Sequence, residues 1–283
     1  MAEKLTVKQK GKLLDFLFDN LAGWSKKTIK QRLQSSSVTV NGEFVTKHDY
    51  FLQVNDDVEV GVNKKVSLST LNKLEILYQD KDLIAINKPA GLLSVGSASE
   101  NNQHALAILR NQLSHGKNEV KLWPVHRLDR DTSGILLFST SKEIREKVME
   151  KWSESQKIYL AIVEGCPKEK EGTITQPLRL DEKEYRMHVG KHPEAKSAIT
   201  HYMLKKTVGK RSLLEVNIET GRQHQIRAHL SWLGNSVVGD QRYGREENRM
   251  ALHSKKLTII HPKSKQHLSF EIDAPKDFYL LLK

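Results

Sequence analysis

Between residues 62 and 73 hydrophobic periodicity disappears, and the polar stretch from Val62 to Lys73 divides the chain into a short first piece and a much longer second one. Each piece has to close a core of its own, and the periodicity inside it says how. Residues 11–22 place Leu13, Leu14, Leu17, Phe18 and Leu21 at helical spacing. A second helix follows, with Ser25 as N-cap and Ile29 and Leu33 as its apolar stripe, while Lys26, Lys27, Lys30 and Arg32 stay outside. Val38-Thr39-Val40 then meets Asn41-Gly42, a two-residue hairpin signal, and alternation resumes through Phe44, Val45 and the run from Val54 to Val60.

The longer piece, residues 74–283, reads as short strands over 74–78, 83–87, 135–140, 158–163, 199–205 and 213–218, with helices over 104–114, 142–153 and 223–233. That mixture predicts an α+β domain around a mostly antiparallel sheet. The lone Cys166 leaves no internal disulfide and no thiolate zinc site, which suits a reducing cytoplasm. No run approaches the roughly 18 apolar residues of a membrane span, and the first residues lack a signal-peptide core. Lys and Arg number 46 against 34 Asp and Glu, a formal charge of +12, which favours a polyanionic partner. A basic surface that only aids solubility would give the same composition.

Chemistry concentrates in two segments. The first, His126-Arg127-Leu128-Asp129-Arg130-Asp131-Thr132-Ser133-Gly134, sets an acid among bases, on a turn that Thr, Ser and Gly can hold through side-chain-to-backbone bonds. Alone, Asp129-Arg130-Asp131 would equally suit a metal site or an ordinary turn. The second runs from Glu219 to His229. Thr220-Gly221 suggests a helix start, with Ile226, Leu230 and Leu233 buried and Arg227 beside them, where a guanidinium needs an anion. His224 and His229 are five apart and face different ways on a helix, a poor metal pair.

The whole of the first segment resembles the signature loop of the RluA family of pseudouridine synthases. Gly221-Arg222-Gln223-His224-Gln225-Ile226-Arg227, Lys157-Ile158-Tyr159 and Asn87-Lys88-Pro89-Ala90-Gly91 resemble further motifs of that family. The resemblance implies Asp129 as catalytic aspartate, Arg227 as its partner unless it pairs with another acid, and Tyr159 as the ring that stacks on a flipped base. It implies Arg127 as the residue that enters the RNA helix when the base leaves, with Arg222 and His224 as RNA contacts, and no cofactor or metal. Asp131 reads as surface charge. Asp129 has three routes open: attack on the sugar, attack on the ring, or removal of a sugar proton.

Residues 11–61 resemble the small RNA-binding domain named after ribosomal protein S-four, which implies phosphate contacts through Lys26, Lys27, Lys30 and Arg32. The expected partner is RNA, ribosomal ahead of transfer RNA, and the expected state a monomer. The alternative is a non-catalytic RNA-binding ribosome-assembly factor, from which an intact Asp129, Arg227 and Tyr159 set would separate it.

Overall fold

The computed structural model describes residues 3–21, 23–34, 38–45, 47–60, 73–96, 104–114, 119–182, 184–247 and 249–283. The polar stretch at 62–73, apart from Lys73, lies outside these residues, as does the side chain of Lys27. The chain forms two compact units, Met1–Leu71 and Asn72–Lys283.

In the first unit, helices Leu13–Asn20 and Lys26–Gln34 accompany a sheet ordered Glu3–Thr6, Asp57–Val60, Val38–Val40, Glu43–Phe44. Leu13, Leu17, Ile29, Leu33, Val38 and Val58 form the dry centre of its core. Ser25 caps the second helix, its Oγ accepting from Thr28 N at 3.1 Å. Asn41 and Gly42 turn the hairpin with φ of 51° and 84°, the left-handed pair that a two-residue connection of right-twisted strands requires.

Three details depart from the sequence reading. Gly11–Lys12 pairs as a strand with Phe51–Leu52, so the first helix starts two residues late. Glu3–Thr6 is an additional edge strand against Asp57–Val60; with Leu5 its one apolar residue, it carries no alternation to read. Arg32 is half-buried, its guanidinium 5.6 Å from the centre of the Trp24 ring, whereas Lys26 and Lys30 are exposed as expected.

Among the described residues, the second unit is built on a ten-stranded sheet: β1 (Glu75–Gln79), β2 (Leu83–Lys88), β3 (Trp123–Pro124), β4 (Ser133–Ser139), β5 (Gln156–Glu164), β6 (Glu171–Ile174), β7 (Thr200–Val208), β8 (Arg211–Ile218), β9 (Leu252–Ile260) and β10 (His267–Glu271). They run β6-β7-β8-β5-β9-β4-β2-β1, with β10 paired to β9 and β3 to β4. The sheet is antiparallel except where β4 meets β9. Helices α1 (Ala105–Leu113), α2 (Lys142–Glu150), α3 (Gln225–Trp232) and α4 (Lys276–Leu280) complete it. Strand β8 alternates buried and half-buried residues, as a strand with one face on the core must, while β4 is buried throughout. Leu83, Ala85, Ile135 and Leu137 share a core with Ile144 and Val148 of α2. Helix α3 packs instead on the hairpin Leu178–Asp181/Arg186–Val189, through Ala228, Leu178 and Met187.

At the parallel joint Ser133 pairs with His253 and Gly134 with Ser254. The backbones come so close that a Cβ on Gly134 would lie 2.2 Å from the Ser254 carbonyl oxygen, and Gly134 has φ +107°. Backbone on both sides leaves nothing to swing aside. Gly134→Ala is therefore expected to destabilise the second unit by more than about 3 kcal/mol, as crowding and left-handed strain add. Denaturant unfolding checks this, and a loss below about 1 kcal/mol would contradict the crowding.

Candidate active site

Residues 125–132 connect β3 to β4 and carry Asp129, and the connection is fastened along its length. Leu137 N donates to His126 Nε2 at 3.2 Å. Ser94 Oγ donates to Leu128 O at 2.7 Å and accepts from Leu128 N at 3.0 Å. Thr132 N closes the turn on Asp129 O at 3.2 Å. The fully buried Lys88 donates its Nζ to the carbonyls of Arg130 (2.9 Å), Leu92 (2.7 Å) and Pro89 (3.0 Å). Burial pushes the Lys88 ammonium down to about 7, while the charges of Asp131 and Asp129 work the other way.

The second segment begins its helix later than Thr220-Gly221 suggested. Thr220 accepts from Ile199 N through Oγ1 at 3.0 Å and donates to Gln225 Oε1 at 2.8 Å, and Gln225 Oε1 also accepts from Arg222 N, so residues 220–224 form a braced turn. α3 starts at Gln225, after His224 in the left-handed conformation with φ 49°.

Arg227, on the buried face of α3, holds two carboxylates at once. Its Nη1 donates to Asp129 Oδ2 at 2.9 Å, while Nε and Nη2 donate to Asp240 Oδ2 and Oδ1 at 2.7 and 2.8 Å. The Asp240 side chain has no exposure, and its Oδ1 also accepts from the backbone N–H groups of Arg242 and Tyr243. Burial opposes the charge on Arg227, but Asp240 and then Asp129 outweigh it and hold its pKa above the ordinary arginine value. The two sequence alternatives for Arg227, the loop aspartate or some other acid, are both realised.

Tyr243 lies beneath this cluster, its ring 5.2 Å from the Arg227 guanidinium and 5.0 Å from that of Arg186. Its hydroxyl accepts from Met187 N at 2.7 Å and hydrogen-bonds His224 Nδ1 at 3.2 Å. Burial pushes His224 down to about 4. Its Nε2 lies 4.0 Å from Asp129 Oδ2.

Tyr159 stands on β5 opposite Ser254 of β9 and is 8% exposed. Burial pushes its hydroxyl up to about 12, against a hydrogen bond with Ser254, so the ring is an uncharged face at neutral pH.

Arg127, Asp129, Tyr159, Arg222, His224 and Arg227 all line one pocket. Arg127 and Arg222 are exposed at its rim, Arg222 tied by its Nε to Ser197 O at 3.0 Å. Asp131 is half-exposed beside Arg130. His229 serves the fold, bonding Thr200 Oγ1 and Gln176 O at 2.8 Å each. Lys26, Lys30 and Arg32 belong to the other unit. The sequence reading assigned no role to Asp240, Lys88, Ser94 or Tyr243. Lys88 lies in the Asn87-Lys88-Pro89-Ala90-Gly91 segment that resembles a family motif, as Asp240 and Tyr243 lie in segments that follow in the family's order, but only the fold brings them to Arg227 and the loop.

Two variants separate the carboxylates. Asp240→Asn leaves a buried guanidinium short of its ionic partner and is expected to cost about 3–5 kcal/mol in denaturant unfolding, whereas Asp129→Asn, at the open side, is expected to cost less than about 1 kcal/mol. Equal losses would mean that Asp240 does not anchor the arginine. His126 and the fully buried His253 are both pushed by burial from about 6.5 to about 4. The folded state resists protons that the unfolded chain accepts, so stability is full above pH 6.5 and falls as pH drops towards 4. The expected loss is on the order of 3 kcal/mol per histidine at most, read from denaturation midpoints across that window. A flat profile would refute it.

A family model for RNA pseudouridylate synthase matches residues 82–232, more than half of the chain. The Bacillus subtilis protein named Uncharacterized RNA pseudouridine synthase YlyB is 31% identical, the alignment covering 97% of this chain and 94% of that one. Ribosomal large subunit pseudouridine synthase D of Zymomonas mobilis is 34% identical over 74% of this chain and 72% of its own length. Of solved structures, Human RNA Pseudouridylate Synthase Domain Containing 4 superposes with a TM-score of 0.62 at 26% identity, over 77% of this chain and 94% of that one. With this extent of agreement along the unit that carries the pocket, the chain belongs to the RluA-type family of RNA pseudouridine synthases, isomerases whose substrates are RNA.

Proposed function

We propose that this chain isomerises particular uridines of a structured RNA, large-subunit ribosomal RNA before transfer RNA, with Asp129 as the catalytic carboxylate. The conversion breaks the bond from C1′ to N1, forms one from C1′ to C5 and moves a proton from C5 to N1. Nothing is gained, lost, oxidised or reduced overall, so one well-placed carboxylate with a binding pocket suits it. The observation that carries the reading is the bridge from buried Asp240 through Arg227 to Asp129, which aims a carboxylate into the pocket.

The target base has to leave its stack, at a cost of a few kcal/mol. Tyr159 offers the extruded ring an uncharged aromatic face, an interaction worth about 1–3 kcal/mol, and Arg127 at the rim fills the vacancy. The first unit acts as an S-four-like RNA-binding domain, with Lys26, Lys27, Lys30 and Arg32 at phosphates, contacts that weaken with salt. The ribosomal preference draws on relatives named for the large subunit, from Zymomonas mobilis and Buchnera aphidicola. The single cysteine suits the cytoplasm, and a monomer suffices because one chain holds the whole pocket.

Pseudouridine mapping of total RNA from cells with the gene intact, deleted or carrying Asp129→Asn tests this. A discrete site is expected to vanish in both altered strains, with purified Asp129→Asn at least about 1,000-fold slower. A site that vanishes on deletion but persists with Asp129→Asn removes the aspartate from catalysis. No changed site at all favours a non-catalytic RNA-binding role.

A further inference from the structure

Ser133, the residue that ends the Asp129 loop, is the middle of a hydrogen-bonded chain that begins far away in sequence. Arg249 Nη2 donates to Ser133 Oγ at 3.1 Å. Ser133 Oγ in turn meets His253 Nδ1 at 2.9 Å, and His253 Nε2 meets Ile272 O at 3.2 Å. A carbonyl oxygen only accepts, so Nε2 carries the imidazole proton, Nδ1 accepts the serine hydroxyl, and Ser133 Oγ is left to accept from the arginine. Every bond in the chain has one permitted direction.

The other arm of Arg249 reaches α4: its Nη1 lies 2.5 Å from Asp277 Oδ2, and its guanidinium sits 5.9 Å from the centre of the Phe278 ring. α4 is itself firmly seated. Phe278 is fully buried, with its ring 6.3 Å from that of His253, and Arg211 Nη1 donates to Leu281 O at 2.9 Å. Ser133 and His253 are also the first pair of the parallel joint, so the chain enters the sheet where the loop does.

We propose that α4 is a positioning element of the pocket: through Asp277 and Arg249 it orients Ser133 and thereby sets where Asp129 stands relative to Arg227. This rests on the reading of Asp129 as the catalytic carboxylate. Asp277 touches nothing in the pocket, and its side chain is 62% exposed, so removing it leaves the core packed. It frees one end of Arg249, and the serine loses a fixed donor. The reacting groups drift apart while the RNA-contacting surface is unaltered, which lowers turnover without weakening binding.

The test uses the full chain and total RNA from cells lacking the gene, in which the target uridine is unmodified. Asp277→Ala is expected to slow single-turnover conversion about ten-fold at saturating RNA, with the half-saturating RNA concentration unchanged. Ser133→Ala is expected to slow it similarly, and the double variant to be no slower than Ser133→Ala alone, because both changes cut the same chain. Hydrogen exchange gives an independent readout: Asp277→Ala is expected to speed exchange over residues 128–132 and leave β5 and β8 unchanged. Wild-type turnover in Asp277→Ala, additive losses in the double variant, a change confined to half-saturation, or unaltered exchange in the loop each overturns the proposal. Asp129→Asn run alongside keeps the two readings apart. If it is inactive while Asp277→Ala has full rate, only the role of α4 fails; if it turns over normally, the catalytic reading fails as well.

Discussion

The second unit has to neutralise a carboxylate with no access to water. Asp240 is wholly buried, and an uncompensated charge there would cost several kcal/mol, so a cation must meet it in good geometry. Arg227 does this with two of its donors in a planar fork, and the same plane sends a third donor towards Asp129. A lysine could neutralise Asp240 but has no fork with which to aim at a second acid. The direction in which the pocket carboxylate is held thus follows from a requirement of the interior, and the geometry of the pocket and the stability of the fold share one guanidinium.

A salt bridge positions a group only when both partners stand on something rigid. Arg227 stands on a helix whose buried face includes Ile226, Ala228 and Leu230. Asp129 stands on a loop, the less rigid partner by default, and the structure compensates with fastenings from four separate places in the chain: Lys88, Ser94, His253 and Arg249. Lys88 and His253 stand on different strands and Ser94 and Arg249 in separate loops, so the loop takes its shape only once the sheet has assembled. Slow, non-local closure of the site is the expected accompaniment of such an arrangement.

Local signals were legible, and long-range ones were not. Leu13, Leu17, Ile29 and Leu33 announce two helices by spacing, and Asn41-Gly42 announces a turn by conformational necessity, because these depend on neighbours only a few residues away. Asp129, Arg227 and Tyr159 stood out through the motifs around them, and the fold brings all three to one pocket. Nothing local marks Asp240 as the second partner of Arg227: the two residues share no helix or strand, and a turn carries one to the other. Glu3–Thr6 was invisible because an edge strand pairs through its backbone and needs little apolar alternation. α3 starts at Gln225, past the Thr220-Gly221 start signal, because the Thr220 hydroxyl, a good cap in principle, bonds Gln225 and Ile199 instead.

His224 adopts a left-handed backbone conformation, φ 49°, that glycine enters without steric cost and a residue bearing a Cβ enters only uncommonly. Judged by backbone energetics alone, the position favours glycine, and a side chain there lowers the stability of the turn it terminates. With one ring nitrogen engaged by Tyr243 and the other 4.0 Å from the Asp129 carboxylate, this is a place where the molecule accepts local strain to set an imidazole beside the acid of its pocket.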